Sequence, residues 1–246
     1  MKKVLLAIFI MTSLNLFSQE LNKNSIFIRT SLNYSQTNDD QSDFYQNIFV
    51  LNNTFENTKT QAYNSGLTVG KRFKNGLYCG VGIWYFYTKT NTNIEEEQTD
   101  NMGLLFSHYY HNSNINTTTI SPAISFGYNK NLIKKLSISF EFYAKYNFTK
   151  MINDSESYYY EYDSTGVHKY TNNKLNNTEL ESLGIGLFPS LKYEINNVLG
   201  IELAFGNVYY QTKTKDSRYF DPDKKTNQFN IDFKPSNWIL SFYVQF

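Results

Sequence analysis

From residue 25 onward the chain alternates apolar and polar side chains with a period of two, the spacing of a β-strand whose faces meet different surroundings. Over 136–148 one face carries Leu136, Ile138, Phe140, Phe142, Ala144, Tyr146 and Phe148, the other Ser137, Ser139, Glu141, Tyr143, Lys145 and Asn147. The last residues repeat the pattern, with Trp238, Leu240, Phe242, Val244 and Phe246 against Asn237, Ile239, Ser241, Tyr243 and Gln245. The spacing predicts strands over 25–36, 61–73, 76–90, 115–129, 136–150, 178–194, 198–212 and 229–246. The connections at 74–75, 130–135 and 195–197 are short. Those at 37–60, 91–114, 151–177 and 213–228 are long and rich in Asn, Thr and Asp. Short turns on one side and long loops on the other describe an antiparallel up-and-down meander. Within the third long connection, 158–170 reads as a hairpin tip around Asp163-Ser-Thr-Gly166, either the fifth and sixth strands continued or two additional strands.

Alternation does not say which face is inside, but the polar face does. It is built from small residues, among them Gly66, Gly70, Gly80, Gly82, Gly127, Ser137, Ser139, Gly184, Gly186 and Gly200. A water-facing exterior would carry many Lys and Glu, whereas a crowded eight-strand lumen needs small side chains between a few large ones. The apolar face therefore points outward, as in a transmembrane barrel. A strand tilted ~40° climbs ~2.5 Å per residue, so 136–148 spans ~30 Å, near the ~25 Å apolar band of such barrels. Aromatics predicted at the two interfaces are Phe73, Tyr128, Tyr193 and Phe246 near the short turns, and Tyr34, Tyr85, Tyr87, Phe148, Tyr209 and Trp238 near the long loops.

Composition agrees. The 246 residues include 21 Tyr and 20 Phe, only 18% are charged, and the formal net charge is +1. That balance is wrong for a nucleic-acid binder, a disordered chain or, with one Cys, a disulfide scaffold. The mean hydropathy of -0.49 is too polar for a bundle of membrane helices. At the N-terminus, Lys2 and Lys3 precede an apolar run from Val4 to Phe17 and a small Ser18. This predicts a cleaved export signal over 1–18 and one barrel domain over 19–246. Of the 23 basic residues, two leave with the signal, so the remainder falls one short of the 22 acidic.

These features resemble the small eight-stranded outer-membrane β-barrels of the OmpA/OmpX/OmpW or "porin family" type. The resemblance rests on the leader, the eight amphipathic segments and the terminal run N-W-I-L-S-F-Y-V-Q-F. It implies an all-β barrel in the outer membrane of a Gram-negative bacterium, with both termini in the periplasm and no periplasmic domain after Phe246. It implies outer-membrane lipid and lipopolysaccharide as surroundings. It further implies that the barrel-assembly machinery, with periplasmic chaperones, reads Trp238, Leu240, Phe242, Val244 and Phe246. It names no cofactor, metal or extracellular partner.

The sharpest constellation is a set of charges on the lumen face. Arg29, Glu141 and Glu202 lie at similar depth, Arg72 and Lys192 lie close to the short turns, and Lys145 lies one layer higher. Ionised groups in a narrow lumen are costly unless paired, so Arg29, Glu141 and Glu202 are expected to form a salt-bridged plug. It either only fills the barrel or gates small solutes. An envelope or surface role without catalysis is the leading reading, with a small-solute pore or ligand-binding barrel as the alternative. A lipid-modifying enzyme would have to use His108, His111 or His168, all in the long connections, and no motif brackets a nucleophilic Ser. His108 and His111 with Glu95, Glu96 and Glu97 could bind a metal, and Asp221-Pro-Asp223 calcium, though no ordered spacing supports either.

Overall fold

A computed structural model describes residues 25–46, 50–100, 105–163, 165–216 and 227–246. The expected export signal over 1–18 and the Asp221-Pro-Asp223 stretch lie outside the described residues. The described chain forms ten antiparallel strands and one 3-10 turn, Pro235–Asn237. The strands are β1 (Ser25–Gln46), β2 (Val50–Arg72), β3 (Leu77–Asp100), β4 (Leu105–Ile133), β5 (Leu136–Asp163), β6 (Gly166–Glu194), β7 (Leu199–Ala204), β8 (Asn207–Asp216), β9 (Asn227–Asp232) and β10 (Ile239–Gln245). β7 and β8 occupy the predicted seventh segment, and β9 and β10 the eighth, each interrupted once.

Hydrogen-bonded pairing runs from β1 through β6, from β6 to β7, from β7 to β10 and from β10 back to β1. The sheet therefore closes on itself, but unevenly. β10 pairs with β1 from Phe27 to Leu32, and Ile26 and Phe246 exchange one further pair of backbone hydrogen bonds. Above that seam, among the described residues, the Asn33 side chain bridges instead, donating to the carbonyls of Ser236 (3.0 Å) and Trp238 (2.5 Å).

The predicted long loops need correction. Most of 37–60, 91–114 and 151–177 is strand, because the first three hairpins continue their pairing, and β5 pairs with β6 as far as Asp163 opposite Gly166. The 158–170 stretch is thus the tip of these two strands. The apolar alternation stops where the outer face is no longer apolar, but Thr, Tyr and Asn still pair as strands there.

The two faces are inverted relative to a soluble protein. Val81, Ile124 and Phe142 on the outer face are 62%, 62% and 61% exposed, while Ser139, Ser190 and Glu141 inside are buried. Inside, large residues sit directly opposite glycines on the neighbouring strand: Phe27 opposite Gly70, Trp84 opposite Gly66, Tyr78 opposite Gly127, Tyr143 opposite Gly186 and Tyr243 opposite Gly200. A Cβ at Gly127 would collide with the Tyr78 ring, and one at Gly200 with the Tyr243 ring. At Gly184 the nearest atoms are the flexible Lys145 stem at 3.5 Å.

Overpacking is expected to follow these approaches. Gly127→Ala and Gly200→Ala should each cost ~1–3 kcal/mol in urea unfolding from lipid vesicles, while Gly184→Ala should lie within ~0.5 kcal/mol of the parent.

Candidate functional site

Alternation along β1, β5, β6 and β7 turns Arg29, Glu141, Lys192 and Glu202 inward, and antiparallel register brings them to one level. The Arg29 guanidinium makes a two-pronged bond to Glu141, Nη1 to Oε2 at 2.6 Å and Nη2 to Oε1 at 2.7 Å. Nη1 also reaches Glu202 Oε2 at 3.3 Å. Lys192 Nζ lies 3.6 Å from the same Glu202 oxygen and 4.3 Å from the centroid of the Tyr78 ring. Neutral donors complete the carboxylates: Tyr78 donates to Glu141 at 2.8 Å and Ser190 to Glu202 at 2.6 Å. Two cations face two carboxylates, so the cluster is neutral overall. All four charged residues are buried, Arg29 to 5% and Glu141 to 3% exposure. A planar fork matched to a carboxylate suits such a site better than a point charge would.

The network borders a small cavity that lies between two larger spaces. On the short-turn side lies a mouth of about 700 Å³ bordered by Arg72, Asn129, Glu194 and Gln245. At Arg29, Lys192 and Glu202 only about 20 Å³ remains, room for about one water. Above it a cavity of about 220 Å³ opens beside Trp84, Tyr143, Lys145 and Phe188.

The other predicted lumen charges stand apart from this cluster. Arg72 turns toward the mouth, bonding Glu194 at 3.2 Å and Gln245 at 3.0 Å. Lys145 lies 5.6 Å from the Tyr143 ring centroid, in the upper cavity. Sequence reasoning passed over Tyr78 and Ser190. The available signal for Tyr78 was a single large residue leading the small face Gly80 and Gly82.

The outer aromatics form belts. Tyr34, Tyr63 and Tyr87 lie side by side on β1, β2 and β3, with centroids 4.8 and 6.3 Å apart. Tyr85, Tyr128, Phe148, Tyr193, Trp238 and Phe246 are exposed outward, and Phe73 lies under Lys71 near the short turns. Tyr209 is a correction, since it faces the lumen and borders the upper cavity. The cause is Gly206, whose φ of +155° reverses the alternation between β7 and β8. The Phe233 ring lies where a Cβ at Gly206 would be. Tyr210 points outward instead, opposite Ile185.

The histidines do not converge. His108 and His111, an odd number of residues apart on β4, face opposite sides of the sheet. His108 Nε2 lies 2.9 Å from Glu95, His111 Nδ1 2.8 Å from Ser157, and His168 Nε2 3.1 Å from Thr165. The ligand atoms of Glu95, Glu97 and His108 lie within 4.8 Å of one another on the outer face, a set that could hold a divalent ion. Glu96 points inward by alternation. Cys79 is exposed on the outer face.

No protein-family model matches the chain, and no curated protein does. Among solved structures it is similar to a major outer membrane protein from Thermus thermophilus, with 10% identity over 91% of this chain and 99% of that one, at a TM-score of 0.41. It is also similar to the outer membrane protein OprG from Pseudomonas aeruginosa, with 13% identity over 92% and 97% and a TM-score of 0.37. Neisserial surface protein A gives 10% identity over 90% and 97%, also at 0.37.

Removing one carboxylate from the network leaves a buried guanidinium short of its counter-charge. Glu141→Ala is expected to cost ~3–5 kcal/mol by urea titration in vesicles. Replacing the four charges together (Arg29→Met, Glu141→Leu, Glu202→Leu, Lys192→Met) is expected to restore most of that loss, because no charge is then stranded.

Proposed function

We propose that this chain is an integral outer-membrane barrel whose lumen is sealed by the Arg29/Glu141/Glu202/Lys192 network, and that it acts without catalysis, through the surface it presents outside the membrane. The carrying observation is the inverted distribution of polarity, with a neutral ion network buried inside a ring whose outer face is apolar and rimmed by aromatics. An apolar surface of this kind is stable against lipid rather than water. The small cavity of about 20 Å³ at the network, below the cavity of about 220 Å³, supports a closed lumen.

The extended hairpins support a surface role. Beyond the belt at Phe148, β5 continues to Asp163, which at ~2.5 Å per residue carries the β5–β6 hairpin ~35 Å further out. Its flanks carry aromatic and charged groups suited to adaptable contacts. Lys169 Nζ lies 4.4 Å from the Tyr158 ring centroid, and Tyr110 packs against Tyr158 at 6.2 Å. The Glu156 carboxylate accepts a hydrogen bond from the Tyr158 hydroxyl and holds that phenol above its usual pKa.

Conductance tests the sealed lumen. The parent protein in planar bilayers is expected to show no resolved ion steps, and Glu141→Ala/Glu202→Ala to open them. Steps in the parent as large as those in the variant would refute the seal. Fractionation tests the placement: the protein should enter the outer-membrane fraction and be cut by added protease near Gly166 in intact cells. A monomer soluble without detergent would overturn the membrane reading.

A further inference from the structure

The cavity above the ion network has an aromatic floor and is bordered by the Lys145 ammonium and the Asp232 carboxylate. Phe188 stacks with Tyr143 at 4.6 Å and with Trp84 at 6.1 Å between centroids. Trp84 and Tyr143 lie directly opposite Gly66 and Gly186, which leave room for the rings and hold them flat. Lys145 reaches into the same space. Arg29, Arg72 and Lys192 each face a carboxylate. Among the described residues no carboxylate comes within 4.0 Å of Lys145. Asp232 also borders the cavity, but its oxygens are engaged by the Lys234 amide at 3.0 Å and Asn237 Nδ2 at 2.5 Å.

An ammonium that no described carboxylate approaches within 4.0 Å, beside a stacked aromatic surface, is complementary to an anion carrying a flat ring. We infer that this cavity is a binding site for a small aromatic carboxylate, with the carboxylate on Lys145 and the ring against Trp84, Tyr143 and Phe188. The volume of about 220 Å³ is below the ~300–1,000 Å³ of sites for drug-sized molecules, which points to a ligand of one ring. Asn33, Asp232 and Asn237 place the cavity beside the seam above the β1–β10 ladder, on the loop side of the ion network. A ligand arriving from that side does not have to pass the sealed level, so the site is compatible with a closed lumen and does not require conduction.

Trp84 provides the reporter. In a Trp238→Phe background it is the remaining tryptophan, and benzoate is titrated against its fluorescence in detergent-solubilised protein. Saturable quenching by benzoate is expected. Benzyl alcohol, which keeps the ring without the charge, and acetate, which keeps the charge without the ring, should each bind at least about tenfold more weakly. Lys145→Met should weaken benzoate by at least about tenfold and leave benzyl alcohol unchanged, while Lys145→Arg should retain benzoate. Circular dichroism melts confirm that each variant is folded. The site is refuted if benzoate fails to saturate, if Lys145→Met binds it as tightly as the parent, or if benzyl alcohol binds as well as benzoate. Binding is read in detergent, so its failure is separate from failure of the membrane or conductance tests.

Discussion

A guanidinium placed inside a narrow ring of strands has no bulk water to solvate it, so the wall must supply its counter-charge. For Arg29 that supply comes from Glu141 on β5, across the ring, and from Glu202 on β7, two strands away round the ring though distant in sequence. The two carboxylates can meet it only if β1 stands across the lumen from β5 and beside the β7–β10 pair. β1 is also the strand whose pairing with β10 closes the sheet. The ionic bonds and the closure therefore depend on the same placement. Register is tied to it as well, because a slip of one residue would turn Arg29 outward and Ile28 inward. The outcome is specificity more than raw stability, since buried ion pairs contribute little net energy but penalise misplacement heavily.

The remaining lumen is filled by large groups set against small ones. Tyr78 illustrates the coupling: its ring lies opposite Gly127, its face receives Lys192, and its hydroxyl donates to Glu141. Packing and charge compensation thus share one side chain. Above the network the pattern changes. Trp84, Tyr143 and Phe188 stack on one another instead of filling the ring, and free volume returns. The same ring is crowded where charges bridge it and opens again on either side, into the mouth below the network and the aromatic-lined cavity above it.

How much of this could be read in the chain follows from which features have a period. The outward Ile, Val and Phe and the inward Gly and Ser alternate from β1 to β7, so the faces and the depth of Arg29, Glu141 and Glu202 were legible. Tyr209 was not, because one glycine with a positive φ at 206 reverses parity and leaves no mark on the alternation itself. The partners of the glycines were not legible either, since Tyr78 meets Gly127 and Tyr243 meets Gly200 only through register. The long connections were misread for another reason. Alternation of polarity reports two unlike surroundings, and beyond the belt both faces of the sheet meet water.

That last point bears on how the outer part holds its shape. With no apolar face to bury, the extended strands rely on their ladders and on cross-strand side-chain pairs. Thr58 and Thr92 lie opposite each other with hydroxyls 3.2 Å apart, as do Thr60 and Thr90. Higher up, Tyr159 packs on Tyr170, and Lys169 covers Tyr158 and Tyr160. β-branched and aromatic residues favour the extended backbone while remaining tolerable in water. The hairpins are therefore paired ribbons rather than loose loops. A partner meeting such a ribbon does not have to order it, so less of the contact energy is lost to conformational entropy. A continuously paired, polar, tyrosine-rich extension holds its contact groups at a distance from the apolar band, where a short turn could not reach.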